Sequence, residues 1–270
     1  MALLTVNGTE LYYELRGGGG PPVPLIMGFT GDGGNFKTLA DLLADAFTVI
    51  CYDRRGNGRS PRPAGWATTS PEEQADDAAA LLTALGLAPA AVYGSSAGAT
   101  FALCLLIRNP EVVRGAVLHE PALVRLFDDP GARGAATAVV REGMEAGGLP
   151  VALERLFCWV AGDANWERLE PALRERMRAT AETFFGVELG SYEGFLPDDE
   201  TLAATAVPVM VLVSEQTHAV YGQAAGRLAQ RLGVEVTHTP GTHMAYHDHP
   251  HELAETIRPF LRQLSRIAVS

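Results

Sequence analysis

The residues with the clearest capacity for chemistry are Gly94-Ser95-Ser96-Ala97-Gly98. They follow an apolar run, Ala90-Ala91-Val92-Tyr93, and open a second apolar stretch with helical spacing. A glycine-x-serine-x-glycine run between a strand and a helix makes a sharp turn that lifts the central hydroxyl out of the sheet. The free N–H groups of the following helix then stabilise negative charge developing beside it. Ser96 occupies the central position and Ser95 the preceding one, so Ser96 is the candidate nucleophile. A serine hydroxyl needs a base, and seven histidines are available: 119, 218, 238, 243, 247, 249 and 251. Four of them (His243, His247, His249, His251), with Asp248, invite a metal reading. Their run leads from a loop into a helix, which is poorly suited to ligands that must converge on one ion, and no metal is expected.

The elements that must position these groups are read from periodicity. Residues 10–16 alternate with period two, as a half-buried strand does. Residues 23–27, 47–52, 90–94 and 112–119 are short, almost continuous apolar runs, typical of strands covered on both faces. Helical spacing occupies 35–45, 72–86 and 97–109 between them. This alternation implies a mostly parallel sheet with helices on both sides. Asn7-Gly8 predicts a hairpin that adds an antiparallel pair at its edge. From Pro121 to Val207 the strand signal disappears, and amphipathic stretches at 133–146, 150–161 and 166–184 replace it. Strands return at 208–213 and 233–238, with helices at 219–232 and 250–265. The expected organisation is a core of residues 1–120 and 208–270 with a helical cap of residues 121–207.

The chain of 270 residues carries 21 basic and 32 acidic side chains, a net charge of −11. Such a balance disfavours nucleic acid and anionic membrane surfaces as partners. The longest apolar stretch, near Ala97–Ile107, is shorter than the ~20 residues of a membrane span. Met1 to Val6 shows neither a basic region nor a long apolar one, so no signal peptide is expected. Three cysteines, Cys51, Cys104 and Cys158, lie among apolar neighbours and read as buried free thiols of a cytoplasmic protein.

Taken together, the elbow, the alternation and two further loops resemble the α/β-hydrolase fold over essentially the whole chain. Asp53-Arg54-Arg55-Gly56-Asn57-Gly58-Arg59-Ser60 is similar to the family's D-x-R-G-x-G-x-S loop, read here as structural bracing by Asp53 and Arg55. Met27-Gly28-Phe29-Thr30-Gly31 resembles its H-G-x-x-G oxyanion loop, with methionine in place of histidine. The resemblance implies that the backbone N–H groups of Phe29 and Ala97 form an oxyanion hole, with Gly28 permitting close approach. Pro240-Gly241-Thr242-His243, with Pro250 beyond it, resembles the loop that carries the family's base, and this assigns His243.

The third catalytic position departs from the commonest family pattern. Ser214-Glu215-Gln216-Thr217 stands where relatives usually carry G-E-x-D, so Thr217 replaces the expected aspartate. The earlier strand ends in His119-Glu120-Pro121, and some branches, haloalkane dehalogenases and zearalenone lactonases among them, place their acid there. The lactonases share the local flavour of the elbow, of His-Glu and of the histidine loop. Glu120 is therefore the expected acid, with Glu215 and then Asp248 as rivals and His119 structural. Serine as nucleophile speaks against the dehalogenases and epoxide hydrolases of this fold, which use aspartate. The expectation is cofactor-independent cleavage of a carboxylic ester or lactone through an acyl-enzyme. The alternatives are carbon–carbon bond hydrolysis of a diketone-type substrate and a non-catalytic ligand receptor. The expected partner is a small molecule with an apolar or aromatic portion, contacted by Gly28, Trp159, Phe185, Tyr192 and Met244, and a homodimer is the oligomer considered.

Overall fold

Asn7 and Gly8 adopt φ of 45° and 72°, the left-handed pair that a two-residue hairpin needs to match strand twist. They join β1 (Ala2–Val6) to β2 (Thr9–Arg16) in antiparallel register, Val6 opposite Thr9. The computed structural model describes residues 2–127 and 129–266. The remaining strands are β3 (Pro22–Ile26), β4 (Thr48–Tyr52), β5 (Ala90–Ser95), β6 (Val113–His119), β7 (Val209–Ser214) and β8 (Val236–Thr239). One sheet holds all eight in the order β1-β2-β4-β3-β5-β6-β7-β8, parallel except where β2 meets β1 and β4.

Helices cover both faces, which is why the inner strands are apolar at nearly every position. On one face α2 (Pro71–Ala84), α3 (Ala97–Arg108) and α10 (Ala219–Leu232) bury Leu81, Leu82, Leu105 and Leu228. On the other, α1 (Lys37–Leu43) and α12 (Pro250–Leu264) bury Leu39, Leu43, Leu253, Ile257 and Leu261. Each of these large aliphatic side chains contributes about 1.5–3 kcal/mol by leaving water. Local signals set the helix ends. Ser70 caps α2 by accepting from Glu73 N–H, and Pro71 occupies its first turn. Gly233 ends α10 in the left-handed conformation, so the strand expected from 233 begins only at Val236. A short helix, α11 (Ala245–Asp248), precedes α12.

Between β6 and β7 the described chain is mainly helical: a 3-10 turn (Val124–Leu126), α4 (Pro130–Gly147), α5 (Leu149–Ala161), α6 (Asp163–Arg168), α7 (Pro171–Ala179), α8 (Ala181–Thr183), a π-helical turn (Phe184–Glu188) and α9 (Asp199–Ala203). The stretch expected at 166–184 is not one helix. Pro171 drives Glu170 to ψ 140°, because a residue before proline avoids the helical region, and α6 and α7 separate there. Polar contacts tie this segment to the sheet's loops; among them, Arg176 Nε donates to Asp32, and Thr183 Oγ1 donates to the Gly56 carbonyl at 3.2 Å. No helix among the described residues is long and apolar enough to cross a membrane. Cys51 and Cys104 are buried free thiols, each pushed up to about 12 by burial, while Cys158 is only half-buried.

Candidate active site

The elbow forms because two chain segments meet without room for side chains. A Cβ on Gly94 would lie 2.3 Å from the Gly98 carbonyl oxygen, and one on Gly98 would lie 2.0 Å from that of Ile26. Ser96, between β5 and α3, takes φ 58° and ψ −126°. That strained conformation persists because its backbone is pinned on both sides: Ser96 N–H donates to His119 O at 2.9 Å, and Ala122 N–H donates to Ser96 O at 3.2 Å. Ser95 is completely buried, whereas Ser96 is partly open. Only Ser96 therefore offers its hydroxyl to a ligand.

His243 sits on the turn after β8. Thr242 N–H and Oγ1–H both donate to Asp248, and Asn165 of α6 donates to Thr242 Oγ1 at 2.9 Å. Asp248 thus braces the loop and has no bond to His243. His249 pairs with Asp248 at 3.0 Å and His251 is exposed, so these histidines do not converge with His243 on a common point. The Tyr221 ring of α10 lies 4.2 Å from the imidazole and covers it.

Glu120 follows β6 with φ 48° and is wholly buried. Its carboxylate receives three donors. Ser214 N–H reaches Oε1 at 2.7 Å, while Thr217 Oγ1–H and His243 Nδ1 reach Oε2 at 2.6 Å and 2.5 Å. Burial alone would raise this carboxyl, but the hydrogen bond and charge of His243, helped by His119 and Thr217, hold it down at about 2. An ionised carboxylate can only accept, so Nδ1 of His243 carries the proton and Nε2 is left free to act as an acceptor. Glu215, in contrast, is exposed, and its backbone N–H donates to Thr239 O.

His119 lies beneath the site. Nδ1 pairs with Tyr93 Oη at 2.8 Å and Nε2 with Ser214 Oγ at 2.9 Å. Complete burial pushes it down to about 4, so it is neutral at pH 7. Its hydrogen bond to Ser214 supports the same residue whose N–H holds Glu120.

Gly28 touches the elbow directly: a Cβ there would meet Ser96 Cβ at 3.0 Å and Ala97 N at 3.2 Å. The Gly28–Phe29 peptide therefore runs beside the first N–H of α3. Among the described residues, neither Phe29 N–H nor Ala97 N–H donates a hydrogen bond. The Phe29 ring packs against Phe101, Phe184 and Tyr192, with Tyr192 at 4.5 Å between centroids. Trp159 packs at a tilt on His218 at 4.6 Å between centroids, and Phe185 meets Phe184 edge-on at 4.9 Å; both are half-buried. Met244 is buried among Phe36 and Tyr246 and accepts the Tyr246 hydroxyl through sulfur, so its side chain belongs to the core packing.

Two participants escape the sequence reading. Thr217 reads there as a lost acid, and the structure makes it a donor to Glu120; its hydroxyl was the available signal. Arg54 is the other. The loop 53–60 is braced by Asp53, which accepts from Gly33 N–H and Arg59, and by Arg55 paired with Asp77. Arg54 points instead to the oxyanion-type loop, donating to the carbonyls of Met27 at 2.9 Å and Gly28 at 3.0 Å.

Residues 21–140 match the family model described as alpha/beta hydrolase fold. An uncharacterized hydrolase of Bacillus subtilis, YraK, is 30% identical over 265 residues, which cover 96% of this chain and 95% of that one. Zearalenone hydrolase of Cladophialophora bantiana is 26% identical over 267 residues, covering 96% and 97%. A thermophilic esterase of Thermogutta terrifontis superposes with a TM-score of 0.78 at 24% identity, covering 98% of each chain.

Proposed function

This chain belongs to the α/β-hydrolase family, and on that premise we propose that it is a serine hydrolase of carboxylic esters or lactones, working without a cofactor. The observation that carries the reading is the Glu120 carboxylate held between Ser214 N–H, Thr217 O–H and His243 Nδ1. It fixes the imidazole tautomer whose Nε2 can take a proton from a serine. Ser96 attacks the substrate carbonyl as His243 accepts its proton, and the oxyanion forms against the N–H groups of Phe29 and Ala97. His243 then returns the proton to the leaving alcohol, leaving Ser96 acylated. Water enters, gives a proton to His243 and attacks the acyl carbon; as the acyl–oxygen bond to Ser96 breaks, His243 returns that proton to Ser96 Oγ and the acid is released. Phe29, Tyr192, Trp159 and Phe185 supply an apolar surface for an acyl or aryl group.

The experiment is labelling by a fluorophosphonate combined with steady-state hydrolysis of p-nitrophenyl esters and a simple lactone. Ser96→Ala should abolish labelling and lower kcat by several powers of ten, leaving the contribution of binding and the oxyanion donors. Ser95→Ala should remain labelled and active. Equal losses at the two positions would remove the nucleophile assignment.

A further inference from the structure

We infer that the buried ion pair of Arg54 and Glu188 is a positioning device through which the helical segment after β6 sets the oxyanion hole. The inference rests on the serine-hydrolase reading above. Arg54 and Glu188 are 1% and 0% exposed and meet at 2.6 Å through Arg54 Nη1. Arg54 Nη2 also approaches the second carboxylate oxygen at 3.4 Å, and Asn57 Nδ2 donates to the first at 2.9 Å. The remaining guanidinium donors turn to the loop: Nε to Met27 O and Nη2 to Gly28 O, with Gln74 at 3.3 Å from Nη1. The planar cation is seated over Phe101 at 5.1 Å and Phe29 at 5.5 Å.

The geometry acts through one peptide plane. The carbonyl of Gly28 and the N–H of Phe29 belong to the same rigid, trans unit and point in opposite directions. Holding Gly28 O against Arg54 therefore aims Phe29 N–H away from Arg54, on the side where Gly28 meets Ser96 and Ala97 N. Glycine gives that plane unusual freedom to rotate, so its direction depends on what the carbonyl is bonded to. Arg54 can serve only while its own charge is balanced in a dry site, and Glu188 is the carboxylate bonded to it. Glu188 ends the π-helical turn Phe184–Glu188, whose Phe184 packs on Phe29 at 5.4 Å between centroids. The same turn thus holds both the side chain of Phe29 and, through Arg54, its amide direction. Glu188 is a positioning residue, touching neither substrate nor reacting atoms.

Two variants test this with p-nitrophenyl butyrate, with active sites counted by fluorophosphonate titration. Glu188→Gln removes the charge balance. The double variant Arg54→Met, Glu188→Leu removes both charges together, which buried pairs commonly tolerate without unfolding. Both should lose about 10²-fold in kcat per titrated site, the scale of one lost oxyanion donor, with KM within about threefold. Affinity for a trifluoromethyl ketone, which binds as a tetrahedral oxyanion, should fall in parallel with kcat, whereas affinity for the matching methyl ketone should not. A purely structural pair would lower the melting temperature and the number of titratable sites and leave kcat per site unchanged. A folded double variant with wild-type kcat per site, or a loss confined to KM, would overturn the inference. Wild-type protein that neither reacts with the fluorophosphonate nor cleaves esters would instead remove the serine-hydrolase reading, and this inference with it.

Discussion

Replacing Glu120 by glutamine changes one oxygen to an NH₂ group, and the surrounding donors decide which way the new amide faces. The wild-type carboxylate accepts from Ser214 N–H on one oxygen and from Thr217 and His243 on the other. A glutamine must present its single oxygen to one side. If it faces Ser214, the NH₂ faces His243, and the imidazole has to offer a lone pair at Nδ1. The proton then moves to Nε2, which can no longer accept from Ser96. If the amide is reversed, NH₂ faces Ser214 N–H, leaving a buried backbone donor unpaired at about 1–3 kcal/mol. The first arrangement wins, and the wrong tautomer prevails. Loss of imidazolium stabilisation adds to this, so kcat should fall about 10³–10⁴-fold, or roughly 4–5.5 kcal/mol at 1.36 per decade. The assay is kcat on p-nitrophenyl acetate, with Ser96→Ala as the floor and circular dichroism to check folding. Glu215→Gln, altering an exposed side chain, should stay within about threefold of wild type. A folded Glu120→Gln enzyme within tenfold of wild type, beside a collapsed Glu215→Gln, would refute the choice of acid.

Thr217→Val removes one of the three donors to Glu120, so kcat should drop about tenfold while Thr217→Ser stays near wild type; a loss in Thr217→Ser beside a near-wild-type Thr217→Val would show that the methyl, not the hydroxyl, matters. His119, held at about 4 against an ordinary 6.5, binds its proton more readily in the unfolded chain. Stability present above pH 6.5 is therefore lost as pH falls toward 4, and Glu120 extends the loss from about 4.5 down to about 2. His119→Gln should flatten the upper part of a melting-temperature profile by up to one proton, about 1.4 kcal/mol per pH unit; an unchanged slope between pH 4 and 6.5 would contradict the assignment. Tyr192→Ala and Trp159→Ala should shift preference among p-nitrophenyl esters of increasing chain length, read as relative kcat/KM; unchanged preference in both would place the acyl pocket elsewhere.

The sheet was legible because each strand announces itself locally. The apolar run 90–94 and the period-two segment 10–16 correspond to β5 and β2, and Asn7-Gly8 carries the hairpin in two residues. The elbow was legible for the same reason, since its glycines are the residues where the backbones of β5, α3 and β3 come closest. What local patterns cannot carry is pairing across the chain. Thr217 and Glu120 lie 97 positions apart, and Arg54 and Glu188 lie 134 apart. Nothing near either residue states its partner. Thr217 in particular reads as a deficit when judged by what it replaces and as a donor once its neighbour is known. The helix break at Glu170 was signalled by Pro171, but the amphipathic pattern continues across it and masks the interruption.

The short bond between Thr217 and Glu120 also constrains which side chains position 217 can take. The ends of β6 and β7 lie side by side, and a carboxylate at position 217 would face the one at 120 across a single hydrogen bond. With Glu120 wholly buried and position 217 half-buried, two such groups would compete to stay ionised, and the histidine beside them would lose a clear anion. A variant carrying both acids would be hampered, and one carrying neither would lose the imidazolium's partner. Exchanging one layout for the other one residue at a time therefore passes through a handicapped variant, and a hydroxyl residue at 217 suits the layout in which Glu120 alone is kept.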